Sequence, residues 1–297
     1  MLTRRKFLLM FGAVLAAGGT GCSGDSGTVT LRFAAGEAAG TYIQFAQLLA
    51  AATAGSTLRI DPLVTDGSRS NIRLLLAGDA ELALSHADAI GEDAAAGTLV
   101  AIGRVYENYI QLAVRDDSDF SVLEDLRGAR IVLGAPGSGV AAVTSVRLLD
   151  AAGMTDGVAA LTMPLSESIA ALQQQQIDAV IWGSGFPTPA LHTAGVRYLS
   201  LGPVIPELQR SHPGLYDHVR LPGTRVDTVG VANLLLTRSD LSDALAGQLA
   251  RVLVDKAREL IPEHALGTQF LDIRALIGTR PVPMHPGAAD AYQRLHG

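Results

Sequence analysis

Two glycine-rich segments stand where a ligand could meet backbone amides. Gly36-Glu37-Ala38-Ala39-Gly40-Thr41-Tyr42 and Gly134-Ala135-Pro136-Gly137-Ser138-Gly139-Val140 each lead from an apolar, strand-like stretch into a helix-like one. Glycine lets the backbone approach a ligand closely. The free N–H groups of a helix's first turn, with the helix dipole, favour a carboxylate or phosphate by about 0.3–1 kcal/mol. Either loop alone is also an ordinary turn before a helix, whereas two of them facing one crevice make an anion site. A third segment, Asp66-Gly67-Ser68-Arg69-Ser70-Asn71, offers the Ser68 hydroxyl and the Asn71 amide, with helix N-capping by Ser68 or Ser70 as the alternative. Arg69 and Arg73 could pair with a carboxylate in bidentate fashion or stand solvated on a helix surface. His86 follows a buried-looking strand and reads as a ligand contact or as a satisfied structural histidine. Trp182 and Ser184, in Trp182-Gly183-Ser184-Gly185-Phe186-Pro187, end another strand, where Trp182 has a core role as its alternative.

Other chemistries find no support. A serine nucleophile elbow needs glycine two residues before and after the serine; Ser138 has Pro136 and Val140 there, and Ser184 has Trp182 and Phe186. No Gly-Lys-Ser/Thr follows either glycine loop, and Gly134, Gly137 and Gly139 come in the wrong order for a dinucleotide fingerprint. The seven histidines show no zinc-binding spacing, and the acid pairs Glu92-Asp93 and Asp116-Asp117 sit in polar loops. The sequence therefore reads as a binding protein without metal or cofactor, not as an enzyme.

The elements that must position these residues alternate between short apolar runs and longer segments of helical period, the pattern of an α/β protein. Residues 31–35, 58–63 and 82–85 read as strands, with helices at 41–54 and 70–77 between them. Two β-rich stretches, 99–106 and 109–115, then leave this unit. A second unit follows, with a short helix at 122–126, a strand at 130–133, a helix at 140–152, and further helix and strand alternation from 161 to 182. Residues 203–222, rich in Pro and His, read as irregular surface. The apolar run 228–237 crosses back, and 241–261 is the longest helical pattern. The expected organisation is one lobe of residues 29–110 with 228–297 and a second of 111–227. Such paired crossings form a hinge, and the ligand crevice falls beyond the carboxyl ends of the strands.

Composition agrees with this organisation. The 297 residues are 48% hydrophobic but only 5% aromatic and 18% charged, so the cores are packed from small aliphatic groups. A net charge of −6, from 23 basic and 29 acidic residues, argues against nucleic acid as partner. At the N-terminus Arg4, Arg5 and Lys6 precede an apolar run at 7–17, too short to span a bilayer that needs about 20 residues. This reads as a twin-arginine-like export signal over residues 1–21. Small residues then precede Cys22, the only cysteine, and 22–28 form a polar tether. Cys22 is expected to be lipidated and to anchor the chain to a membrane.

Taken together, the motifs resemble the TAXI family of solute receptors that serve TRAP transporters, over about residues 31–297. The match is carried by Gly36 to Tyr42, by Gly67-Ser68 with Asn71-Ile72-Arg73-Leu74-Leu75, by Gly78-Asp79-Ala80-Glu81-Leu82-Ala83, by Asp125-Leu126-Arg127-Gly128 followed by Gly134 to Gly139, and by His285-Pro286-Gly287-Ala288 with Tyr292. This chain has Val140 where the family usually has Thr, His86 where Gln is common, and Gly19 where a lipobox usually has an aliphatic residue. The resemblance implies a two-lobed type II periplasmic-binding-protein architecture. It also implies a dicarboxylate or acidic amino acid, such as 2-oxoglutarate or glutamate, as ligand and a TRAP membrane permease as partner. The expected contacts are Gly36, Gly40, Thr41, Tyr42, Ser68, Asn71, His86, Ser138, Gly139, Val140, Trp182 and Ser184. An ABC-type importer component and a sensory lipoprotein of the same fold are the alternatives.

Overall fold

The computed structural model describes residues 27–38, 40–91, 97–262 and 271–296. Cys22 and the export signal lie outside the described residues.

The alternation of apolar strands and amphipathic helices produces a mixed α/β molecule. The first three strands, β1 (Val29–Ala34), β2 (Leu58–Leu63) and β3 (Leu82–His86), are linked by helices α1 (Thr41–Ala52) and α2 (Ser68–Ala77), and β1 pairs in parallel with both β2 and β3. The chain then enters β4 (Leu99–Arg115), a single 17-residue strand where the sequence suggests two. The polar residues Glu107 and Asn108 at the expected break are buried and paired across to β10 (Asp227–Arg238), so the polarity marks a site facing inward and not a turn.

The second half is built on β5 (Arg130–Val132), β6 (Ala159–Leu161) and β7 (Ala179–Ser184). Between β5 and β6 lie a π turn (Val140–Thr144) and α3 (Ser145–Ala151), and between β6 and β7 lies α4 (Leu165–Gln173). The strand β8 (Val196–Leu199) joins the far end of β4, and β9 (Tyr216–Arg220) joins β10. Residues 203–222 are therefore not irregular. They hold α5 (Ile205–Ser211) and β9, because Pro206 stands in the first turn, where a helix tolerates it, and Ile205, Leu208 and Tyr216 are buried. The chain ends in α6 (Asp243–Asp255), α7 (Ile273–Leu276) and α8 (Pro286–His296). The long helical pattern stops at Asp255 and continues only as a 3-10 turn at Ala257–Glu259.

The sheet order β2-β1-β3-β10-β4-β7-β5-β6 is continuous across both halves, with β10 antiparallel to β3 and to β4, and β4 antiparallel to β7. Two large cores flank it. One gathers Leu31, Phe33, Phe45, Leu49 and Tyr106 with Leu249, Leu253, Ala288 and Tyr292, so both ends of the described chain build it. The other gathers Ile110, Leu112, Ile131, Leu148, Ile181, Leu208 and Val231 from the middle. β4 and β10 run through both, which makes them the only long strands common to the two halves among the described residues.

Candidate functional site

Three strands of this sheet hand the chain to a glycine-led helix start. After β1, Gly40 precedes α1; after β2, Gly67 precedes α2; after β5, Gly139 precedes the π turn. Two glycines are required by backbone conformation. Gly67 has φ +114 and lies against the opposite half, where an added Cβ would stand 3.5 Å from the Ser138 Cα. Gly134 has φ +132, and a Cβ there would press on the Ala141 amide and the Ser138 hydroxyl at 3.1 Å. The loops thus bring three helix N-termini to one place, and a cavity of about 500 Å³ lies among them.

Eleven of the residues singled out from the sequence border this cavity: Gly36, Gly40, Thr41, Tyr42, Ser68, His86, Ser138, Gly139, Val140, Trp182 and Ser184. The twelfth, Asn71, does not. It is fully buried beneath α2, where Nδ2 donates to the Ala35 and Leu84 carbonyls and Oδ1 accepts from the Thr65 hydroxyl at 2.5 Å. Its amide ties the ends of β1 and β3 to the start of α2 and thereby holds the loops that border the cavity. Arg69 and Arg73 are exposed on α2 away from it, and Arg73 donates to the Ser70 hydroxyl at 3.3 Å.

The polar groups at the cavity wall are largely committed to one another. The Ser68 hydroxyl accepts from the His86 amide at 3.2 Å and lies 3.4 Å from the Tyr42 hydroxyl, which itself donates to Asn233 Oδ1 at 2.5 Å. Ser138 Oγ accepts from the Ala141 amide at 3.1 Å, in the first turn of the π segment. Ser184 donates to the Gly185 carbonyl at 2.9 Å and contacts Thr188 Oγ1, and Gln111 Nε2 donates to both hydroxyls. Burial pushes the Tyr42 hydroxyl well above the usual phenol range, so it remains a neutral donor.

His86 is 3% exposed, and burial pushes its pKa down, with Asp88 opposing. The imidazole is therefore neutral near pH 7. Asn108 Nδ2 lies 2.6 Å from His86 Nε2, and His86 Nδ1 lies 3.8 Å from Asp88 Oδ1. Asp88 is buried behind the cavity. Its Oδ2 accepts from Thr144 at 2.6 Å and from Tyr216 at 2.8 Å, both in the second half of the molecule. The His86 side of the cavity is thereby fastened across the two halves.

Asn108 is the main residue that sequence reasoning missed, together with Leu165, Ser166 and Thr188 on the second half. An asparagine and a glutamine, Asn108 and Gln111, inside a largely apolar strand were the available signal, since a buried amide must have a use. Among the described residues that border the cavity there is no lysine or arginine, and the carboxylates are Glu37 and Asp66. Among the described residues no group of three or more His, Cys, Asp or Glu could hold a metal ion. No described helix is long and apolar enough to cross a membrane.

Comparison with known proteins places this geometry. A family model described as "NMT1-like family" matches residues 33–197 and 212–294. Among solved structures, a protein of Bordetella bronchiseptica RB50 superposes with a TM-score of 0.56 at 14% identity, over 90% of this chain and 98% of that one. A Xanthomonas citri protein bound to ATP gives 0.51 at 15% identity, over 90% and 95%. The ligand-binding component of an ABC-type import system from Staphylococcus aureus, with zinc bound, gives 0.51 at 11% identity, over 77% and 76%. The fold is the two-lobed α/β architecture of solute-binding proteins.

Proposed function

The chain belongs to the NMT1-like family, and from that premise we propose that it is an extracytoplasmic receptor that captures a small carboxylate-bearing solute for a membrane transporter. The observation that carries this reading is the cavity itself: three glycine-led helix starts from the two halves converge on one volume large enough for a small metabolite. Lobe 1 is residues 29–110 with 228–297, and lobe 2 is 111–227. The ligand makes contacts with both, binds the closed form better than the open one, and so draws the lobes together. Moving an open-to-closed ratio from 99:1 to 1:99 needs about 5.5 kcal/mol of differential affinity, the amount that contacts from both sides must supply.

The contacting residues in this reading are Gly36, Gly40, Thr41, Tyr42, Ser68, His86, Ser138, Gly139, Val140, Trp182 and Ser184, with Asn71 in a positioning role. The partner is a TRAP-type permease, the assignment supported by the sequence resemblance to TAXI receptors. Cys22 carries the lipid that holds the receptor at the membrane. An ABC-type importer is the second reading, supported by the similarity in fold to the Staphylococcus aureus import component.

Trp182 is half-buried at the cavity wall and provides the probe. Titration with a panel of small carboxylates is expected to change its emission and to raise the melting temperature for at least one member. Silence in both readouts across the panel would sink the receptor assignment. Crosslinking in native membranes separates the two transporter types by the class of permease recovered, and intact-mass analysis of wild type against Cys22→Ser tests the lipid.

A further inference from the structure

The cavity differs in chemistry from one side to the other. The first half borders it with Thr41, Tyr42, Asp66 and Ser68, whereas the second half brings the apolar residues Val140, Pro164, Leu165, Trp182 and Pro189. Leu165 on α4 and Trp182 on β7 stand on different elements, yet both pack against one small core with Val132, Leu172 and Val180. That core leaves each of them only half-buried. Since both border the cavity, they present one apolar shelf there. Val140 borders the cavity beside Gly183, its Cγ2 standing 2.6 Å from where a Cβ on that glycine would lie.

Charge points the same way. Among the described residues that border the cavity none is a lysine or arginine, and His86 is neutral. The hydroxyls of Tyr42, Ser68 and Ser184 already hold protein partners. On the first side, the glycine-led starts of α1 and α2 offer backbone donors where a carboxylate can be received. On the second side stands the start of α4, but Glu167 in its first turn already meets that helix end with a negative charge. A second carboxylate on the ligand would be stripped of water against the apolar shelf with no cation to pair with. A hydrocarbon group in the same place leaves water favourably.

We infer that the captured solute is a monocarboxylate with an apolar body, its carboxylate held at the first-half helix starts and its hydrocarbon laid on Leu165 and Trp182, as in a branched-chain or arylalkanoic acid. The inference rests on the receptor reading above and narrows it away from 2-oxoglutarate, glutamate and other dicarboxylates.

Isothermal titration tests it with the straight-chain acids from acetate to hexanoate, with 4-methylpentanoate and 3-phenylpropanoate, and with succinate, 2-oxoglutarate and L-glutamate. Each added methylene should tighten binding by about fourfold, and the best apolar acid should bind at least about a hundredfold more tightly than any dicarboxylate. Its binding should carry a negative heat-capacity change, the mark of apolar burial. Leu165→Ser should weaken that acid by roughly tenfold or more, whereas Leu165→Met, which keeps the apolar surface, should hold it within about threefold of wild type. The methylene series on the wild-type protein stands independently of how either variant folds. Three outcomes overturn the inference and leave the receptor reading intact: a dicarboxylate binding as tightly as any monocarboxylate, an affinity that does not rise with chain length, or a Leu165→Ser variant that melts like wild type and binds the best acid unchanged. No binding by any of these acids overturns both.

Discussion

At the scale of single residues, Asn71 shows how a side chain can serve a site it does not touch. Its removal leaves the Ala35 and Leu84 carbonyls without their amide donor in a fully buried place. At about 1–3 kcal/mol for each of the two buried carbonyls left unpaired, Asn71→Ala should lower unfolding free energy by about 2–6 kcal/mol in a denaturant titration. Ligand affinity measured well below the melting temperature should fall as well, because the loops at both strand ends lose their tie. His86 carries a pH signature of the opposite kind. Burial pushes its folded pKa below the ordinary value of 6.5, so the unfolded chain takes up a proton before the folded one does. The stability contribution is thus present above pH 6.5 and is lost as pH falls toward the folded value. Relative to His86→Asn, the wild-type protein should therefore lose melting temperature between pH 7.5 and pH 5.5.

At the scale of elements, the loop from Gly134 to Gly139 meets the first half of the molecule directly. A Cβ at Gly139 would stand 3.0 Å from Ser68 Oγ, 3.2 Å from Ser68 Cβ and 3.3 Å from Ala89 Cβ. Its φ of −62 is open to any residue, so a larger side chain here strains the contact between halves and not the backbone. Gly139→Leu should act as a wedge: the melting temperature stays near wild type, ligand affinity falls at least about tenfold, and small-angle scattering of the ligand-saturated protein gives a larger radius than for wild type. Gly183 sits more tightly still, with an added Cβ only 2.6 Å from Val140 Cγ2. The glycine loops were legible in the sequence because their chemistry is local: strand, turn and helix start follow within a few residues. The role of Asn108 was not, because it depends on β4 pairing with β10, more than a hundred residues away. Asn71 was misplaced for the same reason. Its spacing near a helix start is what a ligand contact and a strand tie have in common, and only the fold decides between them. The secondary structure in 203–222 was hidden by prolines whose usual meaning, a break, gives way to helix initiation when the following turn is buried.

At the scale of the whole molecule, β4 and β10 are the only connection that both cores share among the long strands described, and Glu107 lies where they cross. Burial and the Asp217 carboxylate, against the pull of Arg104, push Glu107 up to about 8. A Cβ at Gly230 on β10 would overlap the Glu107 carboxylate, so these two positions are fitted to each other. A raised folded pKa means that the contribution is fully present below the unfolded value of 4.5 and is lost as pH rises through about 8. Melting temperature should fall between pH 6 and pH 9, and Glu107→Gln should flatten that fall.

The first core is closed by α8, where Gly287 lies directly against the Asp243 backbone at the start of α6 and Tyr292 donates to the Ile102 carbonyl at 3.0 Å. A domain whose opening strands wait for its last helix cannot finish folding while the ribosome still holds that helix. Nascent chains stalled before residue 286 should be cleaved readily by protease within residues 29–110, and release of the full chain should bring resistance in one step.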